Sequence, residues 1–304
     1  MILCAGLGTR LRPLSSWRAK PLVPIGDRPA LAHILDRVRA GGAERIVVNA
    51  HHRVGDLRAF LPGDVVLSEE TTLLGTAGGV ARGLAMLDAS RDRAGAPGDV
   101  LVWNGDILAE VDVRGLWSAH AHAVRDAREK IGATLVVSAR EAPFVGNAGI
   151  DEGGRVVRLR KETVRAGEVR SADFLGIHVL GASLCDSLPA EGDLVGDVYL
   201  PAMRRGASLA VFDYDARANA WWDIGTLASY RAANFAWLGA RGVRSFVGAG
   251  ARVGAIAIEA SIVGDGAIVE GTGTLARCIV WPGAHVTAPL TDAIVSGEGV
   301  VVSA

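Results

Sequence analysis

Through roughly the first two hundred residues, short apolar β-branched runs alternate with stretches whose apolar positions recur every three or four residues. The runs predict strands over residues 2–5, 45–50, 65–68, 100–103 and 133–139. Between the first two, Leu31, Ile34, Leu35 and Val38 share one face at helical spacing, and Gly41-Gly42 supplies a C-terminal stop. Residues 80–87 and 116–124 predict two more helices, 155–159, 173–180 and 208–214 three more strands, and 227–238 a closing helix. Alternation of this kind predicts an α/β fold, a Rossmann-like, mostly parallel sheet covered on both faces. Ligands of such sheets bind beyond the carboxyl ends of the strands, so the loops that follow strands are where chemistry is expected.

From about Ser245 the texture changes. Phe246-Val-Gly-Ala-Gly-Ala-Arg-Val253 returns as Ile262-Val-Gly-Asp-Gly-Ala-Ile-Val269, as Ile279-Val-Trp-Pro-Gly-Ala-His-Val286 and, more faintly, as Ile294-Val-Ser-Gly-Glu-Gly-Val-Val301. The starts are 16, 17 and 15 residues apart, close to three hexads per coil. That spacing predicts a parallel β-helix in which each coil stacks on the last. A glycine-rich linker has no use for regularly spaced valines and isoleucines. The expected organisation is therefore 1–240 as one domain and 241–304 as a small β-helix.

With 32 Lys and Arg against 33 Asp and Glu, the net charge is −1. No long-range field draws the chain to nucleic acid or to a membrane surface, so phosphate affinity has to come from a few locally placed cations. Cys4, Cys185 and Cys278 are far apart and form no CxxC pair. This fits a reduced, cytoplasmic compartment and neither a zinc site nor a disulfide framework. The apolar start, residues 1–7, is too short and glycine-rich for a signal peptide or a membrane span. Its strand begins abruptly, which leaves room for a residue or two before Met1.

The most informative segment is the first loop, Leu3-Cys-Ala-Gly-Leu-Gly-Thr-Arg-Leu-Arg-Pro13, followed by Lys20-Pro-Leu-Val-Pro24. Gly6 and Gly8 let the backbone turn tightly after a buried strand and approach a phosphate with no Cβ in the way. Arg10 and Lys20 bring positive charge to the same place. A dinucleotide fingerprint needs a third glycine where Leu11 stands, and a Walker loop needs GxxxxGK[ST], which is absent. The combination GxGTRLxP with KPLxP is much more specific than either.

This segment resembles the signature of the nucleotidyltransferases that make nucleotide sugars. The resemblance continues in order along nearly the whole chain. Glu70-Thr-Thr-Leu-Leu-Gly-Thr-Ala-Gly-Gly79 is similar to the family's base-recognition loop, and Asn104-Gly105-Asp106-Ile107 to its NGD metal-binding element. Phe174-Leu-Gly-Ile177 is similar to the sugar-side strand, and Trp222-Asp223-Ile-Gly225-Thr226 to the second metal-binding element. A trailing left-handed β-helix is also common in the family. The resemblance implies a nucleotide-diphospho-sugar transferase fold and a reaction in which an NTP and a sugar 1-phosphate give an NDP-sugar and pyrophosphate. It implies Mg²⁺ held by Asp106 and Asp223, with Arg10 and Lys20 as the catalytic cations. Nucleotide contacts are implied for Ala5, Gly6, Leu7, Gly8, Thr9, Glu70, Gly75, Thr76, Gly79 and Asn104, and sugar-phosphate contacts for Gly149, Lys161, Gly176 and Thr226. Gly79 is expected to open the following helix near the triphosphate.

One departure stands out. Where many relatives carry Phe-x-Glu-Lys-Pro, this chain reads Leu159-Arg-Lys-Glu-Thr163, with the order inverted and the proline missing. Lys161 and Arg160 are then rivals for the sugar phosphate, and the sugar is left open. Guanylyl transfer from GTP to mannose 1-phosphate is the first expectation, because guanylyltransferases with a β-helix share this layout. Uridylyl transfer to N-acetylmuramate 1-phosphate, or transfer to another hexose or heptose phosphate, is the second. Two other classes are weighed against these. A nonenzymatic subunit that senses nucleotide sugars need not keep Arg10, Lys20, Asp106 and Asp223, and all four are present. A hexapeptide-repeat acyltransferase needs a longer helix and its own catalytic histidine, and the repeats hold only His285. The β-helix is expected to serve stability or homo-oligomer assembly, so a chain cut near Arg241 should still turn over.

Overall fold

The computed structural model describes residues 1–89, 98–126, 130–142 and 145–302. Its first four sheet strands are β1 (Ile2–Leu3), β2 (Ile46–Ala50), β3 (Val65–Glu69) and β4 (Val100–Asn104), which lie side by side in the order β4-β1-β2-β3, all parallel. Along the chain they are separated by α1 (Ala30–Ala40), α2 (Val54–Phe60) and α3 (Gly75–Ala89), the crossovers that parallel strands require. Every residue of β2 is buried, as expected for a strand covered on both faces. A further helix, α4 (Val113–Asp126), follows β4.

The rest of the sheet is formed by β5 (Ile131–Arg140), β6 (Ala148–Ile150), β7 (Val156–Leu159), β8 (Glu162–Thr163), β9 (Arg170–Leu180) and β10 (Ser208–Asp213). Here β9 runs antiparallel to β4, β5 and β6, whereas β10 runs parallel to β5, so the complete sheet is mixed. The sequence pattern did not contain the antiparallel insertion, because an apolar run buried on both faces looks the same in either direction. Val47, Val102, Leu135, Leu180 and Tyr199 form part of the core around these strands.

The C-terminal strands are β11 (Phe246–Val247), β12 (Arg252–Val253), β13 (Ile256–Glu259), β14 (Ile262–Val263), β15 (Ile268–Ala276), β16 (Ile279–Val280), β17 (His285–Thr291), β18 (Ala293–Ser296) and β19 (Gly299–Val302). β11, β14, β16 and β18 stack in parallel, with Phe246, Ile262, Ile279 and Ile294 in register. The four repeat starts seen in the sequence are thus one residue column. A second parallel sheet joins β12 and β13 to β15, and β15 to β17. The fourth repeat differs: β19 turns back through Gly297-Glu298 and pairs antiparallel with β18. A two-residue loop of this kind makes a hairpin, which ends the stack.

The chain forms two compact units, and they do not follow a division at 240/241. One comprises Met1–Leu7 and Ile34–Trp221, the other Gly8–His33 and Trp222–Ala304. In the second unit, α5 (Leu227–Ala240) begins with a capping box: the Thr226 hydroxyl accepts from the Ser229 amide (3.1 Å), and Ser229 returns the bond. Asn234 of α5 is fully buried and accepts from the Gly26 amide (2.8 Å), which ties the Pro24–Ile25 strand and its turn to the helix. Gly26 has φ +63, and a Cβ there would land 2.0 Å from the Trp237 ring. No helix of the described residues is long and apolar enough to cross a membrane.

Candidate active site

In the first unit the groups singled out in the sequence cluster at the carboxyl ends of β1, β2 and β4. The Cys4 amide donates to Asn49 Oδ1 (2.6 Å), and Asn49 Nδ2 donates to Glu70 Oε1 (2.7 Å). Glu70 Oε2 accepts from the Leu74 amide (3.2 Å). Ala5, Gly6 and Leu7 therefore leave β1 from a backbone anchored to the loop that follows β3. A Cβ on Gly6 would meet no described atom within 4 Å, so packing does not require glycine there.

Glu70 is 4 % exposed with both oxygens engaged, so its side chain holds the loop in shape. Gly79 is also reassigned. α3 opens at Gly75, and Gly79 lies one turn in, where a Cβ would come 2.6 Å from Asn49 Nδ2. Its role is to let α3 approach the Asn49–Glu70 pair. Gly75 (φ +73) presses against the Gly192 carbonyl, which accepts from the Ala77 amide (2.9 Å). The Thr76 hydroxyl accepts from the Leu194 amide (2.8 Å). Thr76 thus spends its hydroxyl on the 192–194 segment.

Asp106 sits in the turn after β4. Two bonds close that turn: the Gly105 amide donates to the Leu3 carbonyl (2.8 Å) and the Trp103 indole to the Ile107 carbonyl (2.8 Å). The missing Cβ of Gly105 would meet Cys4 Sγ at 2.4 Å, so the turn lies directly beside the start of the first loop. Across the sheet, Gly176 (φ +76) marks a register shift between β9 and β5, and a Cβ there would lie 2.6 Å from Asn104 Nδ2. Asn104 and Gly176 are brought together.

Gly149 of β6 backs onto a buried ion pair that the sequence did not reveal. Arg158 Nε donates to Glu168 Oε2 (2.8 Å), with the side chains 9 % and 4 % exposed. Arg158 also donates to the carbonyls of Gly146 (3.1 Å) and Arg160 (3.0 Å), so it clasps the strand end before Gly149 and the β7–β8 turn together. Breaking such a pair from one side strands a buried charge. Glu168→Ala is expected to lose roughly 3–5 kcal/mol of unfolding free energy, measured by urea titration; a loss below about 1 kcal/mol would show the pair to be solvated. Lys161 is exposed in the β7–β8 turn, while Arg160 donates to Asp193 Oδ1 (2.6 Å), next to the segment that holds Thr76.

In the second unit, Gly8 (φ 62) opens the single turn Thr9–Leu11, and the Ser15 hydroxyl donates to the Gly8 carbonyl (2.7 Å). A Cβ on Gly8 would meet Ser15 Cβ at 3.0 Å and Lys20 Cβ at 3.3 Å, so the turn folds against the base of Lys20. Arg10 Nη2 lies 3.9 Å from Asp223 Oδ2. Gly225 makes this approach possible, since a Cβ there would sit 2.8 Å from Asp223 Oδ1 and 2.9 Å from Arg10 Nη2. Asp223 Oδ1 is buried without a hydrogen-bond partner. A buried carboxylate oxygen left in that state is a hard donor suited to a divalent cation. Thr226, expected at the sugar phosphate, instead has its hydroxyl committed to the helix cap.

Fold and site together define a nucleotide-handling α/β enzyme, and comparison with known proteins places it. Residues 1–238 match the nucleotidyl transferase family, to which the chain belongs. It is 30% identical to the mannose-1-phosphate guanylyltransferase of Mycobacterium tuberculosis, over 95% of this chain and 81% of that protein. It is likewise 30% identical to the N-acetylmuramate alpha-1-phosphate uridylyltransferase of Caulobacter vibrioides, over 59% of this chain and 73% of that one. Among solved structures, HddC from Yersinia pseudotuberculosis complexed with GMP-PN shares the fold, with a TM-score of 0.58 and 20% identity over 78% of this chain and 97% of its own.

Proposed function

We propose that this nucleotidyltransferase transfers the guanylyl group of GTP to mannose 1-phosphate, releasing pyrophosphate, with Mg²⁺ as its metal. The observation that carries the reading is the pairing of Arg10, from the signature loop, with Asp223 and its partnerless buried oxygen. In the reaction a phosphate oxygen of the sugar phosphate bonds to the α-phosphorus as the bond to the β-phosphate bridging oxygen breaks. The nucleophile is anionic at neutral pH, so no general base is needed, and catalysis consists of positioning and charge neutralisation.

Asp106 and Asp223 serve as the metal ligands in this proposal. Among the described residues no cluster of three or more His, Cys, Asp or Glu is assembled, so phosphate oxygens and water would complete the shell, as suits Mg²⁺. When bound, the ion would supply positive charge to the triphosphate. Arg10 takes up charge developing on pyrophosphate, and Lys20 lowers repulsion between the two phosphates. In this proposal the backbone of residues 5–9 lies along the triphosphate, that of Gly75 and Thr76 along the base edge, Asn104 on the nucleotide, and Gly149, Gly176 and Lys161 on the sugar side. The C-terminal stack is read as a left-handed β-helix, 241–304, appended to a catalytic domain, 1–240, with a cytoplasmic setting and any self-association through the stack.

A coupled pyrophosphate-release screen, crossing five NTPs with a panel of sugar 1-phosphates, tests the reading. The highest kcat/KM is expected for GTP with mannose 1-phosphate. Preference for UTP with N-acetylmuramate 1-phosphate would move the assignment to the uridylyltransferases, which the similarity to the Caulobacter enzyme supports. No release from any pair, with nucleotide sugar still binding, would make the chain a sensing subunit.

A further inference from the structure

We propose that Trp281, in the third rung of the C-terminal strand stack, is a positioning residue for the active site. It fixes the segment carrying Arg10 and Lys20 to the helix whose entry carries Asp223. The inference rests on the proposed roles of those three residues and adds to them a dependence on the repeat region.

Trp281 follows β16 and is 3 % exposed. Its indole N–H donates to the Tyr230 hydroxyl (2.9 Å) in α5, and Tyr230 is itself fully buried. Burial, the larger effect, holds that phenol above its ordinary pKa, so it meets the indole as a neutral acceptor. The Trp281 ring also meets Trp17 edge-on, with centroids 6.1 Å apart and planes at 84°, and the Arg18 guanidinium lies 5.4 Å above the ring. Trp17 is gripped from a second rung, since a Cβ on Gly299 would come 3.1 Å from its ring.

Trp17 ends the short helix Leu14–Trp17, and Ser15 of that helix holds the Gly8 carbonyl. The signature turn at Gly8 and the Arg18–Lys20 stretch are therefore both fastened at Trp17 and Arg18, and one side chain of the stack touches both. The same side chain reaches α5 seven residues after Asp223. A shift of about 1 Å in charged groups that must meet a triphosphate can cost on the order of 10²-fold in rate. A buried tryptophan that sets the spacing between two such groups accordingly affects catalysis without touching substrate.

The test uses the full-length chain with Trp281→Leu and Trp281→Phe, and with Leu275→Ala as a control for lost packing elsewhere in the stack. For the leucine variant, kcat is expected to fall at least tenfold with KM for the sugar phosphate nearly unchanged. Amide exchange at Leu11, Ser16, Arg18 and Leu22, which bond to carbonyls within the signature segment, should accelerate. The phenylalanine variant keeps a ring edge for Trp17 and loses the N–H, so changes of about threefold in the same direction are expected; it decides the matter if the leucine variant does not fold. Leu275→Ala should lower the melting temperature and leave both readouts alone. Wild-type kcat and wild-type exchange in a folded Trp281 variant would overturn the proposal, as would equal losses in the control. If the wild-type enzyme releases no pyrophosphate with any substrate pair, the functional reading fails, and the exchange measurement still decides whether Trp281 holds the segment.

Discussion

Asp223→Ala is expected to reduce kcat by about 10³-fold or more, because a carboxylate on a catalytic cation contributes several kcal/mol to the stabilisation of transferring charge. Folding should be spared, and the structure gives the reason. The Asp223 side chain is 37 % exposed, its Oδ2 faces Arg10 only at 3.9 Å, and its Oδ1 is buried with no hydrogen bond. Removing it breaks no satisfied interaction and deletes an unsatisfied buried oxygen, a change that is neutral or favourable to stability. A site that carries this kind of defect in the free protein is poised for a ligand. The measurement is pyrophosphate release at saturating Mg²⁺ and substrates, beside a thermal melt. Asp106→Ala is expected to lose turnover to a similar extent. Substantial Mg²⁺-dependent turnover by the folded Asp223→Ala enzyme would remove that residue from the metal site.

Much of this arrangement was legible in the sequence. The repeat starts at Phe246, Ile262, Ile279 and Ile294 form one column because their short strands pair in parallel and in register, each repeat on the next. The turn after β4 carries Gly105 and Asp106 at the carboxyl end of a parallel strand, where the sequence pattern expected chemistry. Less legible was which polar side chains the fold itself already engages. Glu70 reads as a ligand contact until Asn49 is seen 2.7 Å away, and an asparagine inside the buried run Ile46–Ala50 was the available signal. Thr226 reads as a binding hydroxyl, although the serine three residues on already suggested a cap. The Arg158–Glu168 pair had no such signal, since charged residues in a short edge hairpin are usually solvated. The two compact units also cut across the expected boundary at 240/241. Gly8–His33 packs in one unit with the strand stack, so a chain cut near Arg241 loses Trp281 and the surface under Trp17. The expectation that such a fragment would still turn over is revised: it should be inactive.

Arg10→Ala separates binding from catalysis most cleanly. The Arg10 side chain is 68 % exposed and its contact with Asp223 is long, so the free enzyme gains little from it. Its turn, Thr9–Leu11, is held instead by the Leu11 amide on the Gly8 carbonyl (3.0 Å) and by burial of Leu11. In the proposed reaction this solvated guanidinium, beside a carboxylate that a cation would neutralise, meets charge that appears only when pyrophosphate departs. Interactions made only in the transition state lower kcat when removed and leave ground-state affinity nearly intact. The expected result is a fall in kcat of about 10²–10³-fold with KM for the nucleotide changed by no more than a few fold. Arg10→Lys keeps the charge and loses the planar fork, so it should recover only part of the rate. The experiment is steady-state pyrophosphate release for both variants, with nucleotide affinity measured separately by calorimetry. A rise in KM with kcat unchanged would make Arg10 a simple binding residue. The charge of the leaving pyrophosphate would then have to be met by Lys20 and the metal alone.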